Sequence, residues 1–394
     1  MARTPTRTAI DAPEGVRPTV RSNTRPALPR ARYPRGAAAP VLVEVRRGPF
    51  TESRHRGHVV QVGLGGQVEQ GVGDPDVVTS LRSAVKPFAL AALVEAGGVE
   101  AYHLTNAELA VMAASHTGED AHVRTVQAVL RRSGLSQALL QCGIEDAPAD
   151  SLTRARLARE GEAPGPIRHM CSGFHTASLL LARLSGWSLA DYWRPEHPSQ
   201  LAAGQMVARV FDVKLSALIM AIDNCGVPTY AFSLTAIARA FQLLADPAGT
   251  ADVARAPLVP TLTRIRDAMM AAPEMVGGTR ESSDTLLMRT RSGALVCKGG
   301  AEGLRGIGLL PGARHARGAE SPPAGVAIKI EDGDGFGRAN RAASVEALAQ
   351  LGALDADSLE RLTELHRPPS RDPRGVEIAA TVPVFRLAPL SELA

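Results

Sequence analysis

The residues best suited to chemistry are Ser83 and Lys86, which lie three positions apart where an apolar, helix-like segment begins. Residues three apart share one face of a helix, so the Lys86 amine can reach the Ser83 hydroxyl. A serine hydroxyl is a poor nucleophile until a base takes its proton, and a poorly solvated lysine can be that base. A Ser-x-x-Lys pattern also occurs by chance, but here it follows three short β-rich runs and opens a helix. The spacing therefore predicts nucleophilic catalysis by Ser83.

Lysine is rare in this chain, which makes the remaining lysines informative. Of 44 basic residues only four are lysines, namely Lys86, Lys214, Lys298 and Lys329. Arginine stays protonated at any relevant pH, whereas a buried lysine can become neutral. Lys214 is expected on an amphipathic helix without a special role. Lys298 begins a Lys-Gly-Gly segment on a predicted strand, and we expect it in the same site as Lys86.

A second hydroxyl group lies in the segment SHTGEDAH, residues 115–122. Ser115 or Thr117 could cap the helix that follows, with acidic residues in its first turn. Alternatively, Ser115 could carry a proton between the nucleophile and a leaving amine, and the spacing leaves both interpretations open. His116 and His122 are six residues apart and do not share a helical face, so they do not predict a metal pair.

The cysteines are too few and too widely spaced to predict a disulfide framework in a chain of 394 residues. They are Cys142, Cys171, Cys225 and Cys297. Two of them, with a nearby histidine and Asp223, could hold zinc, but the paired Cys-x-x-Cys signature is missing. The spacing favours buried, reduced thiols.

Two kinds of segment must position these motifs. Short β-rich runs near both ends of the chain predict antiparallel strands, and apolar spacing between them predicts one helix after another. The predicted strands are 41–46, 58–63, 67–71, 294–297, 326–330 and 376–383. We expect an α+β fold, an antiparallel sheet of N- and C-terminal strands packed on a large helical insert. The predicted single domain, 39–394, has a sheet lobe (39–80 plus 285–390) and a helical lobe (81–284).

Composition restricts the class of protein. A hydrophobic content of 45% is enough for a large core, and there is no run of about 18 apolar residues that would predict a membrane span. The first 40 residues hold eight arginines against Asp11 and Glu14, so the body of the chain is slightly acidic and does not predict nucleic-acid binding. Residues 1–38 predict a disordered Arg- and Pro-rich tail. The chain shows no secretion signal, and we expect a cytoplasmic protein.

A Ser-x-x-Lys at a helix start followed about 200 residues later by Lys-x-Gly on a strand is the layout of serine β-lactamases and penicillin-binding proteins. The full set of motifs, from Val41 to Asp334, resembles the rhizobial-type L-asparaginases, a family similar in structure to serine β-lactamases and glutaminases. The segments that carry the resemblance are Arg82–Phe88, Ser115–Glu119, Cys142-Gly143, Cys171–Gly173, His197-Pro198, Asp223–Pro228, Asp284-Thr285 and Lys298–Gly303. The resemblance implies a glutaminase-like fold and a homodimer.

The resemblance also implies an activity, the hydrolysis of L-asparagine to L-aspartate and ammonia. Ser83 matches the family's nucleophile and Lys86 its base, while Ser115 and Lys298 match a second Ser-Lys pair in the same pocket. Lys86, kept neutral by Lys298, would take the Ser83 proton, and Ser115 would relay a proton to the ammonia. Backbone N–H groups at the helix start would stabilise the oxyanion. Five further residues are expected to bind substrate: His116, Cys171, His175, Asp223 and Glu302.

The family carries a metal site built from two cysteines and a lysine, with an aspartate beside one cysteine. Cys171, Cys225 and Asp223 match these positions, but the lysine position is Phe174. Phenylalanine cannot bind a metal, so we expect no required cofactor and weak or no zinc binding. Asn224 and Met170 are further departures, from a usual Gly and a usual Asn.

Two rival functions remain at this stage. A β-lactam- or peptide-recognising serine enzyme shares the Ser-Lys-Lys layout but normally acts outside the cytoplasm. A non-catalytic binding protein with an inherited pocket is favoured by Phe174. It is opposed by the intact set Ser83, Lys86, Ser115 and Lys298.

Overall fold

A computed structural model describes residues 38–280, 282–314, 320–335, 337–389 and 391. Its strands are β1 (Val41–Arg47), β2 (Phe50–Val62), β3 (Val68–Val72), β4 (Val78–Ser80), β5 (Ile219–Ile222), β6 (Pro228–Ser233), β7 (Leu295–Gly300), β8 (Leu304–Leu309), β9 (Ala324–Ile330), β10 (Pro369–Arg371), β11 (Glu377–Pro383) and β12 (Ala388–Pro389). The predicted tail, residues 1–38, lies outside the described residues except for Ala38, so it stays a prediction.

Helices fill most of the sequence between β4 and β7. They are α1 (Lys86–Glu95), α2 (Gly98–Ala101), α3 (Asn106–Met112), α4 (Asp120–Arg132), α5 (Ser151–Glu160), α6 (Ser172–Leu184), α7 (Pro198–Val210), α8 (Leu234–Ala245), α9 (Pro247–Thr250), α10 (Val259–Ala271), α11 (Pro273–Val276) and α12 (Ser283–Thr290). After β9 follow α13 (Ala339–Gln350), α14 (Ala356–Arg361) and α15 (Thr363–His366). Within the described ranges, every helix is too short or too polar to cross a membrane.

The large sheet joins both ends of the chain. Its strand order is β10-β11-β1-β2-β9-β8-β7, all neighbours are antiparallel, and β3 pairs with β2 and β12 beside this row. The predicted antiparallel sheet of terminal strands around a helical middle is confirmed in this coarse form. This arrangement follows from the positions of the β-rich runs. A few strands alone are only marginally stable, so strands from both ends of the chain pair with each other to form one stable sheet.

The structure differs from the prediction in several details, of which two concern the site. The helical insert contains β5 and β6, which form a second small sheet with β4 in the order β4-β6-β5. Strand β8 was not predicted, because Gly306 and Gly308 weaken its strand signal. Those glycines have a packing role, since a Cβ on Gly306 would lie 2.0 Å from the Phe241 ring of α8. Helix α8 can approach the sheet closely only where the strand has no side chains.

The core lies on both faces of the large sheet. Helix α8 packs on β2, β8 and β9, while α13 packs on β1, β9 and β11. Phe88 of α1 contacts Phe211 and Phe241 edge-on, with ring centroids 5.6 and 5.3 Å apart. These contacts tie α1, and with it the predicted Ser-Lys pair, to the helix that covers the sheet.

Candidate active site

Ser83 lies in a 3₁₀ turn, Arg82–Val85, that joins β4 to α1, and Lys86 is the first residue of α1. Arg82 adopts a left-handed backbone conformation with φ of 45°, which is uncommon outside glycine. The backbone N–H of Leu81 donates to the Tyr230 carbonyl at 2.8 Å, so β6 fixes the start of the turn. Pro87 in the first turn of α1 sets the chain direction that follows. The turn is thus held rigidly at the junction of the two sheets.

Strand β7 approaches this turn closely, and Gly300 permits it. A Cβ on Gly300 would lie 2.4 Å from the Leu81 carbonyl oxygen, whereas a Cβ on Gly299 would meet nothing nearer than 3.5 Å. The Lys-Gly-Gly segment therefore brings Lys298 beside the Ser83 turn because its second glycine has no side chain.

Lys86 is the centre of the site. Lys86 is only 2% exposed, and its Nζ donates to the Ala114 carbonyl at 2.7 Å, to Ser115 Oγ at 3.2 Å and to Cys171 Sγ at 3.2 Å. In the described part of the chain, no hydrogen bond joins Lys86 Nζ to Ser83 Oγ. The structure therefore brings Lys86 to the second predicted serine, while Ser83 stands half-buried at the start of the same helix.

Lys298 is the second buried lysine. It is 1% exposed, its Nζ donates to the Gly299 carbonyl at 2.6 Å, and Asp284 Oδ2 lies 3.7 Å away. Burial lowers the pKa of Lys298 to about 8, with repulsion from Lys86 and Arg305 acting in the same direction and Asp284 opposing it. A lysine of this kind can exchange its proton near neutral pH.

The two predicted metal-site cysteines meet next to Lys86. The interaction with the Cys225 thiol, together with the nearby Lys86, holds the pKa of Cys171 well below its usual value. The same interaction and burial raise the pKa of Cys225. Cys171 precedes α6 and Cys225 lies in the β5–β6 turn, so the pair also links two elements. All four cysteines are buried free thiols.

These two thiols are only part of the ligand set that a zinc site needs. Phe174, 3% exposed, follows in the first turn of α6, and two sulfurs are half of the tetrahedral ligand set that zinc requires. Within the described ranges, no group of three or more His, Cys, Asp or Glu side chains is arranged to hold a metal. The expectation of weak or absent zinc binding stays a prediction.

Arg82, Asp223 and Glu302 form the polar edge of the site. Arg82 Nε donates to Asp223 Oδ1 at 2.9 Å and its Nη2 to Asn224 Oδ1 at 3.1 Å. Glu302 Oε1 lies 3.9 Å from Arg82 Nη1, and its side chain is 68% exposed. Asn224, noted in the sequence as a departure, therefore binds Arg82. The sequence did not single out Arg82, whose motif drew attention only to its serine and lysine.

His116 supports the loop that carries Ser115. Its Nδ1 accepts from the Gly118 N–H at 3.2 Å and its Nε2 bonds Ser172 Oγ at 3.0 Å, so both ring nitrogens are occupied. Burial lowers the pKa of His116 well below its usual value, as do His122 and Lys86. These bonds give His116 a supporting role in the loop, and its expected contact with substrate stays a prediction.

The two histidines of this segment come together although their spacing gave no reason to expect it. The rings of His116 and His122 stack with centroids 4.8 Å apart. His122 and Glu119 cap α4 reciprocally, so the interpretation of Ser115 or Thr117 as the cap is wrong. Because Glu119 supplies the cap, the Ser115 hydroxyl is available to Lys86.

His175 lies deeper in the molecule. It is fully buried, and its Nδ1 bonds the Tyr192 hydroxyl at 2.7 Å. Burial lowers the pKa of His175 to about 4, so the ring is neutral. Its role in substrate binding stays a prediction.

A cavity of about 370 Å³ is lined in part by Asp284, the residue that pairs with Lys298. It is lined by basic, acidic and hydroxyl side chains in which cations and carboxylates are equal in number, including Glu119, Asp150, Arg280 and Arg305. Neither Ser83 nor Lys86 lines it. Asp284, which the sequence did not single out for the site, therefore belongs both to the lining of this cavity and to the contacts of Lys298.

Comparisons with known proteins place these features in a family. Residues 43–383 match the family model described as L-asparaginase II. Comparison with curated proteins gives no match. Among solved structures, one titled "Crystal Structure Analysis of Mglu" is similar with a TM-score of 0.34 and 14% identity, over 77% of this chain and 69% of that chain. Another, of Mglu in its L-glutamate binding form, has a TM-score of 0.33 and 14% identity, over 77% of this chain and 62% of that chain. At these scores the structural likeness supports no statement about activity.

Proposed function

The chain belongs to the L-asparaginase II family, and from that membership we propose that it hydrolyses L-asparagine to L-aspartate and ammonia through a Ser-Lys mechanism. The single observation that carries the mechanism is the buried cluster around Lys86, whose amine bonds a second serine and lies beside a second lysine of lowered pKa. Such a cluster is suited to moving protons between hydroxyl groups in a site with little water.

Ser83 is the proposed nucleophile. Its half-buried hydroxyl stands one helical turn before Lys86, and a hydrogen bond that forms only with substrate bound is common for catalytic groups. Ser83 Oγ attacks the side-chain amide carbon of asparagine while Lys86 takes its proton. Backbone N–H groups of the turn stabilise the oxyanion that develops.

Ser115 is the proposed relay to the leaving group. Its hydroxyl, 3.2 Å from Lys86 Nζ, passes the proton to the amide nitrogen, which leaves as ammonia. An aspartyl ester remains on Ser83. Water then attacks the ester carbon, its proton returns through the same cluster to Ser83 Oγ, and L-aspartate is released.

The polar edge of the site matches the charges of an amino acid. Arg82 is suited to the α-carboxylate and the carboxylates of Asp223 and Glu302 to the α-ammonium. The Cys171 sulfur accepts a hydrogen bond from Lys86 Nζ, and in this proposal it also contacts the substrate. The homodimer that the family resemblance implies and a cytoplasmic location remain predictions.

An assay of ammonia release by the purified protein tests this proposal. We expect release from L-asparagine, weaker release from L-glutamine and no turnover of a chromogenic β-lactam. Turnover of the β-lactam without ammonia release would favour the penicillin-recognising alternative. Saturable binding of asparagine without ammonia release would favour a binding protein, the function that Phe174 suggested.

A further inference from the structure

Asp284 is a buried carboxylate that the mechanism above does not use. It lies in the first turn of α12, and both of its oxygens accept the Gly299 N–H, at 3.1 and 3.0 Å. It also contacts the Arg305 guanidinium, and its Oδ2 lies 3.7 Å from Lys298 Nζ. One carboxylate thus holds both the backbone after Lys298 and the Lys298 ammonium.

We propose that Asp284 is the positioning residue for Lys298: it fixes the lysine at the Ser83 turn and provides the counter-charge that governs when the lysine releases its proton. The proposal rests on the proposed function in giving Lys298 a role in catalysis. Asp284 acts on the reaction through Lys298 and does not itself touch the substrate.

A chain of contacts through Arg305 holds the Asp284 carboxylate in place. Arg305 Nε donates to Asn340 Oδ1 at 2.9 Å, and Asn340 Nδ2 donates to the Gly303 carbonyl at 2.8 Å. Asp334 in turn accepts the Asn340 N–H at 2.8 Å. The chain of contacts from Asp284 therefore ends at the start of α13 and at the turn that carries Glu302. Asp284 cannot follow Lys298 if the lysine moves, so it defines where the ammonium rests.

The charges around Lys298 leave Asp284 as its main stabilising partner. Lys86 from α1 and Arg305 from β8 repel the ammonium, and Cys171 before α6 attracts it more weakly than Asp284 does. Burial alone would raise the pKa of Asp284, but Arg305 and Lys298 hold it below its usual value, so the carboxylate is charged. A buried ammonium without a partner is costly, and loss of Asp284 should make Lys298 give up its proton more readily.

The cavity that Asp284 lines provides a sharp test. Asp284 and Arg305 both line this space of about 370 Å³, so a small carboxylate such as formate can reach the position of a deleted Asp284 side chain. Asp150 lines the same cavity and pairs with Arg280 instead, with no contact to Lys298. It is a matched acidic control.

The first measurement is a pH titration by NMR of the full chain with ¹³C-labelled lysine. The chain has only four lysines, so four signals are expected and Lys298→Arg identifies the one of interest. In Asp284→Asn we expect the Lys298 midpoint to fall by about one pH unit or more. Asp150→Ala should leave the Lys298 midpoint unchanged. Asp284→Glu keeps the negative charge, so its Lys298 midpoint should lie close to that of the wild type.

The second measurement is asparagine hydrolysis at fixed pH. We expect Asp284→Ala to lower kcat by about 10-fold with little change in KM, less than the roughly 10²–10⁴-fold that loss of a general base costs. Formate should restore activity to Asp284→Ala but not to Lys298→Ala. In Asp284→Asn, the limb of the pH profile that belongs to Lys298 should move to lower pH.

An unchanged Lys298 midpoint in folded Asp284→Asn, or an equal shift in Asp150→Ala, would overturn the proposal. If Asp284→Asn does not fold, Asp284→Ala purified in formate replaces it, and a midpoint independent of formate has the same meaning. Failure of the proposed function would look different. The wild type would then release no ammonia, yet the NMR titration would still report whether Asp284 controls Lys298.

Discussion

Lys86 Nζ lies 3.2 Å from Ser115 Oγ, so the lysine of the Ser-x-x-Lys motif bonds the serine of a different loop. Ser115 reaches this position because its backbone N–H donates to the Val276 carbonyl at 3.1 Å, which attaches the loop after α3 to the end of α11. In the proposed mechanism this one lysine serves both serines, with Ser83 as the nucleophile and Ser115 as the relay.

That division predicts different losses in matched variants. Ser83→Ala and Lys86→Arg should each abolish asparagine hydrolysis, because the first removes the nucleophile and the second replaces a base by a cation that stays protonated. Ser115→Ala should retain a low rate, since water can replace a relay hydroxyl. Ammonia release and circular dichroism of all three variants check this. If Lys86→Arg keeps a tenth of the wild-type rate, Lys86 is not the base.

Gly300 should be needed for activity where Gly299 is not. Gly300→Ala places a methyl group 2.4 Å from the Leu81 carbonyl, which must push β7 away from the Ser83 turn. Gly299→Ala meets its nearest atoms at 3.5 Å, an ordinary contact. We expect Gly300→Ala to lower kcat by about 100-fold, as small displacements of catalytic groups do. Equal kinetics of the two variants would show that this close approach is not required.

Zinc should bind weakly or not at all, and Phe174→Lys should strengthen binding. Cys171 and Cys225 offer two sulfurs, and Phe174 stands where the family resemblance implies a lysine ligand. Metal content of the wild type and of Phe174→Lys, each purified without chelators, is the measurement. Phe174→Leu is the control for loss of the ring alone. One tightly held zinc in the wild type would contradict the prediction and point to His175 or Asp223 as a ligand.

Deleting residues 1–38 should leave activity and thermal stability almost unchanged. The segment has no apolar periodicity with which to pack on the body, and the family match begins only at residue 43. Kinetics and melting temperature of the shortened and full chains decide this. A melting temperature several degrees lower after deletion would show that the tail is docked.

Stability should decrease as the pH falls below about 6.5. His116 and His122 have lowered pKa values in the folded protein, mainly through burial, so the unfolded chain binds more protons in this range. Their contribution is present above pH 6.5 and is lost as the pH falls towards their folded pKa values. Each histidine that stays neutral in the folded protein lowers the free energy of unfolding by up to about 2 kcal/mol as the pH falls from 6.5 to 5.

Urea unfolding at pH 7.5 and 5 measures this effect. His116→Gln should have a lower free energy of unfolding than the wild type at pH 7.5. Its free energy of unfolding should then fall less than that of the wild type between pH 7.5 and 5. Replacement of the exposed His103 by Asn should leave the pH dependence unchanged. A wild-type free energy of unfolding that is constant over this range would contradict the assignment of neutral, buried histidines.

The sequence by itself determined the parts of this protein that depend on neighbours along the chain. Ser83 and Lys86 are one turn apart, the strand that carries Lys298 is recognisable, and the order of motifs indicated the family that the match over residues 43–383 confirms. It also placed strands at both ends of a helical middle, because period-two and helical spacing are local properties. The glycines of β8 hid that strand, since residues that allow close packing also weaken the local signal.

Only the tertiary structure decided which groups meet. The partner of Lys86 is Ser115, 29 residues away, and the partner of Lys298 is Asp284 on a separate helix. The stacking of His116 on His122 likewise arises because a loop folds back onto the helix that follows it. Such contacts depend on how helices pack on the sheet and on which loops close. The charge state of a buried lysine depends on every element around it, so the sequence could identify the lysines but not their partners.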